Sequence, residues 1–334
     1  MTPGEKQYRR TVNRIAFALL LFYGAFNIYS LLITFVVPLF TNRMPVVAGN
    51  VTYELIYGVL YAAVFILPVL FYYCISRHEP HQLLDITFHL PRLAPLYIVV
   101  GVALISAAGY LNSILLDVFD YGAFTDQMIF DHDITLNYQL ILQFITLAIV
   151  PAFVEELLFR GMILRNLLPY GRTGAVLASA LLFGVMHQNA GQFLYATVAG
   201  LFLGYVYAHT RSFWCCVLVH FCNNFLSLMH TVLLERLPEE FATLLLFLME
   251  LVFFALGIVA AVYLILHQKQ GSAEMFRDGA FERELAPDPE YAAVDLPLSR
   301  RVRLFFSVPM IVFFVLCAAQ MLTLLGLSLF VPYG

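Results

Sequence analysis

Charge is what this sequence has least of. Only 12% of its 334 residues are Asp, Glu, Lys or Arg, about half the share found in a soluble domain. With 61% hydrophobic residues and a mean hydropathy of +0.83, the composition excludes a soluble globular domain and predicts a polytopic membrane protein. Cysteine is scarce as well. Cys74, Cys215, Cys216, Cys222 and Cys317 are odd in number, lie in or beside apolar runs and form no Cys-x-x-Cys pair. That excludes a disulfide framework and leaves them as small buried hydrophobes. There is no His-Glu-x-x-His pair on any one helix, which removes the usual zinc-protease helix signature. No internal repeat of the transporter kind is visible. The net charge of −4 supplies no basic field, so no nucleic-acid partner is expected and the Lys and Arg residues read as orientation signals.

What the chain does have is long apolar runs. A spanning helix needs ~20 apolar residues. Candidates are Ile15–Phe40, Leu55–Ser76, Leu93–Leu116, Tyr138–Leu168, Ser212–Leu234, Phe241–Leu266 and Leu304–Val331. Thr173–Ala208 carries no formal charge over 36 residues and divides at Gln188–Gln192 into two more. The first run, 26 residues long, exceeds the ~7–15 of a signal peptide's apolar region and reads as an uncleaved anchor. The expected fold is therefore an all-α transmembrane bundle of about nine spans. Residues 1–267 form its core, 268–303 a polar cytoplasmic linker and 304–334 an additional C-terminal span. An acidic loop with Asp120, Asp126 and Asp131 joins the third and fourth spans. With the N-terminus in the cytoplasm, 16 of the 18 basic residues fall on the cytoplasmic side, as the positive-inside rule requires.

Against this apolar background a few polar residues stand out. Pro151-Ala-Phe-Val-Glu155-Glu156-Leu-Leu-Phe-Arg160 puts two carboxylates inside a spanning helix, and an ionisable group there marks a functional site by default. Glu155 lies 16 residues before Gly171 and His187 lies 16 after it, so a hairpin would bring them to one depth, nearer the cytoplasmic half. His220 and Asn224 share a helix face at i, i+4. Arg160, four residues after Glu156, can pair with it and leave Glu155 freer. A carboxylate in such an interior can serve as general base, an imidazole can orient water, and a His with an Asn can hold an oxyanion. That is hydrolytic chemistry. Glu250 is a further intramembrane carboxylate without an assigned role. Asn223 and His230 read as structural.

Glu155-Glu156-x-x-x-Arg160, Phe183-x-x-x-His187 and His220-x-x-x-Asn224 resemble, in order and spacing, the three motifs of the CPBP (Abi) family, whose best-known members are the type II CAAX prenyl endopeptidases. The resemblance spans about residues 90–265. It implies an eight-helix CAAX-protease-like core and an intramembrane endopeptidase. Glu155 and His187 would activate water, His220 and Asn224 would form the oxyanion hole, and Glu156 and Arg160 would support them. It also implies glutamate-dependent chemistry without a cofactor, with zinc as the alternative, and membrane lipid and a membrane-associated or lipidated peptide as partners. The short loops suggest a bacterial cytoplasmic membrane. Bacteriocin maturation or immunity is the role associated with bacterial relatives. A non-catalytic peptide-binding scaffold and a proton-coupled transporter are the competing readings.

Overall fold

The computed structural model describes residues 1–76, 86–118, 137–275 and 297–330. The acidic loop with Asp120, Asp126 and Asp131, and residues 276–296 of the linker, lie outside them; the linker's first residues, 268–275, continue the helix that begins at Glu239. Every regular element among the described residues is helical: α1 (Pro3–Thr41), α2 (Val46–Ser76), α3 (Ala94–Val118), α4 (Tyr138–Tyr170), α5 (Arg172–Met186), α6 (Ala190–Thr210), α7 (Phe213–Arg236), α8 (Glu239–Met275), α9 (Leu298–Phe305) and α10 (Val308–Phe330). The chain is a polytopic helical bundle, as the apolar runs predict.

The span count differs from nine. Six helices are long and apolar enough to cross a membrane, or seven when α9 and α10, bent by 70° at their junction, count as one. The 36-residue apolar run divides at the expected place, where Gln188 adopts φ 54° and Asn189 caps α6 through the Gly191 amide. But α5 has only 15 residues, ~22 Å of helix against a hydrocarbon core of ~30 Å. The α5–α6 hairpin is packed within the bundle and does not have to match the lipid. The first two helices begin earlier than their apolar runs, at Pro3 and Val46 instead of Ile15 and Leu55. That earlier start brings Glu54 into α2.

α4 is the central helix, between α2 and α7. α3 packs on α6, α7 and α8, and α1 on α2. α8 exposes Phe247, Leu251, Val252, Ile258 and Val259, as a lipid-facing helix should. The last helix is no loose anchor. Met310, Phe313 and Cys317 are fully buried, and α10 packs against α1, α5 and α6. The basic helix α9 reaches the start of α1, where Arg300 Nε donates to Glu5 Oε1 at 2.6 Å, and the end of α4, where Arg301 donates to the Tyr170 carbonyl at 2.7 Å. A further contact, between the Thr11 and Tyr170 hydroxyls at 3.2 Å, ties α1 directly to the end of α4.

Close helix approach at the centre depends on glycine, and Gly200 is the clearest backbone case. A Cβ on Gly200 of α6 would meet the Ala180 Cα at 3.0 Å, and the Ala180 carbonyl oxygen and Phe183 Cβ at 3.2 Å. Backbone cannot retreat as a flexible side chain can, so Gly200→Val is expected to destabilise the bundle by about 1–3 kcal/mol. A lowered unfolding temperature in detergent and loss of the monodisperse peak on gel filtration would report it; wild-type behaviour would contradict the packing described.

Candidate active site

The two glutamates lie in a segment of α4, Val150–Glu156, that is bracketed by π-helical turns at Phe144–Ile149 and Leu157–Leu164. Such turns concentrate at functional positions because they redirect side chains without ending the helix. Pro151 explains part of the first distortion. It has no N–H to offer the carbonyl of Leu147, four residues back. Asn224 of α7 donates its Nδ2 to that carbonyl at 3.3 Å instead.

Consecutive residues on a helix point ~100° apart, and the two carboxylates accordingly meet different partners. Glu156 is fully buried and its Oε1 accepts twice, from Arg160 Nη1 at 2.8 Å and from His220 Nδ1 at 2.9 Å. Arg160, also fully buried, donates from Nη2 to the Gly200 carbonyl at 3.0 Å and lies 4.8 Å from the centre of the Phe183 ring. Glu155 turns towards α2, where the Tyr61 hydroxyl donates to its Oε1 at 2.5 Å. Its Oε2 lies 3.9 Å from His220 Nε2. His220 therefore stands between the two carboxylates, bonded to one and facing the other.

His187 caps the C-terminal end of α5. Its Nδ1 is 2.8 Å from the Phe183 carbonyl; with Nδ1 donating, Nε2 keeps a free lone pair. The ring packs edge-on against Phe183, and Phe183 packs edge-on against His220. Glu155 and His220 both lie within electrostatic range of His187. Asn224 offers one Nδ2 hydrogen to Leu147, and its Oδ1 accepts from Asn223 at 3.3 Å. Since an amide nitrogen carries two donors, one hydrogen of Asn224 is left for the site.

The structure thus collects Glu155, Glu156, Arg160, His187, His220 and Asn224 from α4, α5 and α7 around one interior. It adds two residues that sequence reasoning missed, Tyr61 of α2 and Tyr195 of α6. The Tyr195 hydroxyl takes a hydrogen bond from Asn223 at 3.1 Å and lies within range of Glu155. Neither tyrosine has a spacing signal of its own; only inter-helix packing reveals it. Asn223 is likewise part of the site's surroundings, not just helix filler. Glu250 is half-buried in α8, a helix that packs on α3 and α7. Among the described residues, no three His, Cys, Asp or Glu side chains converge in a way that could hold a metal ion.

Residues 137–226, from the start of α4 to the middle of α7, match the family model Type II CAAX prenyl endopeptidase Rce1-like. The chain carries an Rce1-like domain. The match supports a place in the CPBP/Rce1-like family and an intramembrane protease function of the CAAX type, and it contains all six residues singled out above. No curated protein and no solved structure matches the chain. Tyr61 lies on α2, outside the matched segment.

The Glu156–Arg160–His220 cluster is a buried charged set, and removing one member strands the others. Glu156→Gln is expected to cost about 3–5 kcal/mol of stability. The double variant Glu156→Gln/Arg160→Met should recover part of that loss. Unfolding temperatures in detergent for wild type, single and double variants would check it, and a double variant no better than the sum of its singles would contradict the pairing.

Proposed function

We propose that this protein is an intramembrane endopeptidase in which Glu155 activates water, acting on a membrane-associated or lipidated peptide. The observation that carries the reading is the position of His220: one ring nitrogen is bonded to Glu156 and the other faces Glu155 across 3.9 Å. That gap is too wide for a direct hydrogen bond and leaves a polar opening beside the base.

In this reading water sits between Glu155 and the free Nε2 of His187. Glu155 takes its proton as the oxygen attacks the peptide carbonyl, and returns that proton to the leaving amine. The developing oxyanion is held by His220 Nε2–H and by the unused Nδ2 hydrogen of Asn224. Because Nδ1 of His220 is committed to Glu156, Nε2 donates only when the ring carries both protons. The buried set Glu155, Glu156, Arg160 and His220 is then electrically balanced, which suits a site without bulk water. Arg160 and Glu156 position His220 without touching substrate. Tyr61 fixes the Glu155 carboxylate so that Oε2 is the oxygen turned to the opening.

Metal-free chemistry is part of the proposal. The donors a zinc ion would need are already engaged: Glu156 with Arg160 and His220, and Glu155 with Tyr61. A guanidinium 2.8 Å from one prospective ligand also disfavours a second cation there. The orientation proposed is N-terminus in the cytoplasm. It is supported by the clustering of the start of α1, the end of α4 and the basic helix α9 at one end of the bundle. A bacterial cytoplasmic membrane is the location that goes with it.

The reading is tested with purified protein in lipid and a prenylated CAAX-type reporter peptide. Glu155→Gln should lower kcat by about 10²–10⁴-fold, the scale of general acid–base catalysis, and a zinc chelator should leave the rate unchanged. Cleavage that survives in Glu155→Gln would reject Glu155 as the base, and cleavage lost only to the chelator would reject the metal-free mechanism. Tyr61→Phe removes a hydrogen bond to a charged group, worth about 1.5–3 kcal/mol. It should reduce kcat by about tenfold or more with little change in KM; a change in KM alone would remove Tyr61 from the positioning of Glu155.

A further inference from the structure

α2 meets α4 at a second place. Glu54, two helical turns before Tyr61, is 6% exposed, and its Oε2 accepts from Thr146 Oγ1 at 3.1 Å. The helices approach closely enough for this because residue 58 is glycine: a Cβ there would stand 2.8 Å from the Thr146 methyl. Glu54 lies on the wall of a half-open cavity of about 660 Å³ between the end of α1, the first turns of α2 and the start of α4. The cavity is at the end of the bundle away from Glu5 and Arg300, and the active-site network does not use it.

Its lining has a one-sided chemistry. Thr146 is the one hydrogen-bond donor to Glu54 among the described residues, and it engages a single carboxylate oxygen. Gln143, 2% exposed, also lines the cavity, and its carbonyl oxygen is buried with no hydrogen-bond partner among the described residues. No Lys or Arg is among the described residues that line it. A buried carboxylate without a cation, beside an orphaned carbonyl oxygen, is an acceptor set that calls for donors carrying positive charge.

We infer that this cavity is a subsite for a cationic side chain, an ammonium or guanidinium, of the peptide that the active site cleaves. Glu54 supplies the countercharge and the Gln143 carbonyl a second acceptor. The identity of the cation's carrier rests on the peptidase reading; the cation site itself does not. Its position sets the register. From Glu54 to Tyr61, which bonds Glu155, is ~10 Å of helix rise. An extended peptide covers that in about three residues, so the cationic residue lies about three positions from the scissile bond.

Two measurements test this separately. Asn50, which lines the same cavity, is replaced by Cys in a background with Cys74→Ala and Cys222→Ala. The labelling rates with aminoethyl and sulfonatoethyl methanethiosulfonate are each normalised to a free thiol in solution. The cationic reagent is expected to be favoured at least tenfold, and Glu54→Gln should collapse the ratio to near one. A ratio that Glu54→Gln does not move overturns the cation site. In the second measurement, reporter peptides carry Lys or norleucine at positions two to four residues from the cleaved bond. The expected Lys-to-norleucine ratio in kcat/KM is about tenfold at one position, falling to near one in Glu54→Gln. A ratio of one at every position in wild type overturns the subsite assignment. Charge-selective labelling without cleavage of any peptide leaves the cation site standing and instead defeats the peptidase reading.

Discussion

Everything at the centre of this bundle depends on one carboxylate, Glu156. A single oxygen of that group takes hydrogen bonds from Arg160 on its own helix and His220 on α7. Through Arg160 it reaches the Gly200 carbonyl on α6 and the Phe183 ring on α5. Four helices are therefore registered by one anion. The arrangement is costly if incomplete. A charge in the interior stands only when paired and hydrogen-bonded, and even here Glu156 Oε2 and Arg160 Nε find no partner among the described residues. The helices cannot slide or rotate without stranding a charge, which makes the cluster a device for alignment more than for net stability.

The alignment matters because spanning helices have little else to specify register. Against lipid the hydrophobic effect does not discriminate one apolar face from another, so close packing and polar contacts decide. Gly200 lets α6 close on α5, and Gly58 lets α2 close on α4. α2 then bonds α4 twice, Glu54 to Thr146 and Tyr61 to Glu155. Both pairs ascend in sequence together, so the two helices run parallel, as second and fourth spans of a serial bundle must. Tyr61 lies 15 residues from either end of α2, which puts Glu155 level with the middle of that helix instead of near its Ser76 end.

Much of this could be read from the residues, and the exceptions have a common cause. Apolar length identified the long helices, and i, i+4 spacing paired Glu156 with Arg160 and His220 with Asn224, because a helix converts spacing directly into a shared face. Depth arithmetic brought His187 to the glutamates. The α5–α6 pair was counted as two spans because composition cannot tell an apolar helix facing lipid from one enclosed by its neighbours. Tyr61, Tyr195 and Glu54 were missed because what they touch belongs to another helix. Glu54 stands one position before the apolar run Leu55–Ser76, and the helix that holds it starts eight residues before it, at Val46.

The adjacency of Glu155 and Glu156 is the remaining puzzle, since two carboxylates side by side in an apolar bundle should repel. The helix resolves it by direction. Neighbouring residues diverge by ~100°, so Glu156 turns to the α5–α6–α7 side and Glu155 to α2. The π-helical turns on either side of the pair, and Pro151 within the segment, free α4 from strict geometry at the point where both must be accommodated. His220 occupies the angle between them, bonded to the structural carboxylate and facing the other. The same imidazole thereby links the buried Glu156 cluster to the face of Glu155. The doubled glutamate therefore divides its contacts: Glu156 ties α4 to α7 through His220 and, by way of Arg160, to α5 and α6, while Glu155 ties it to α2 through Tyr61.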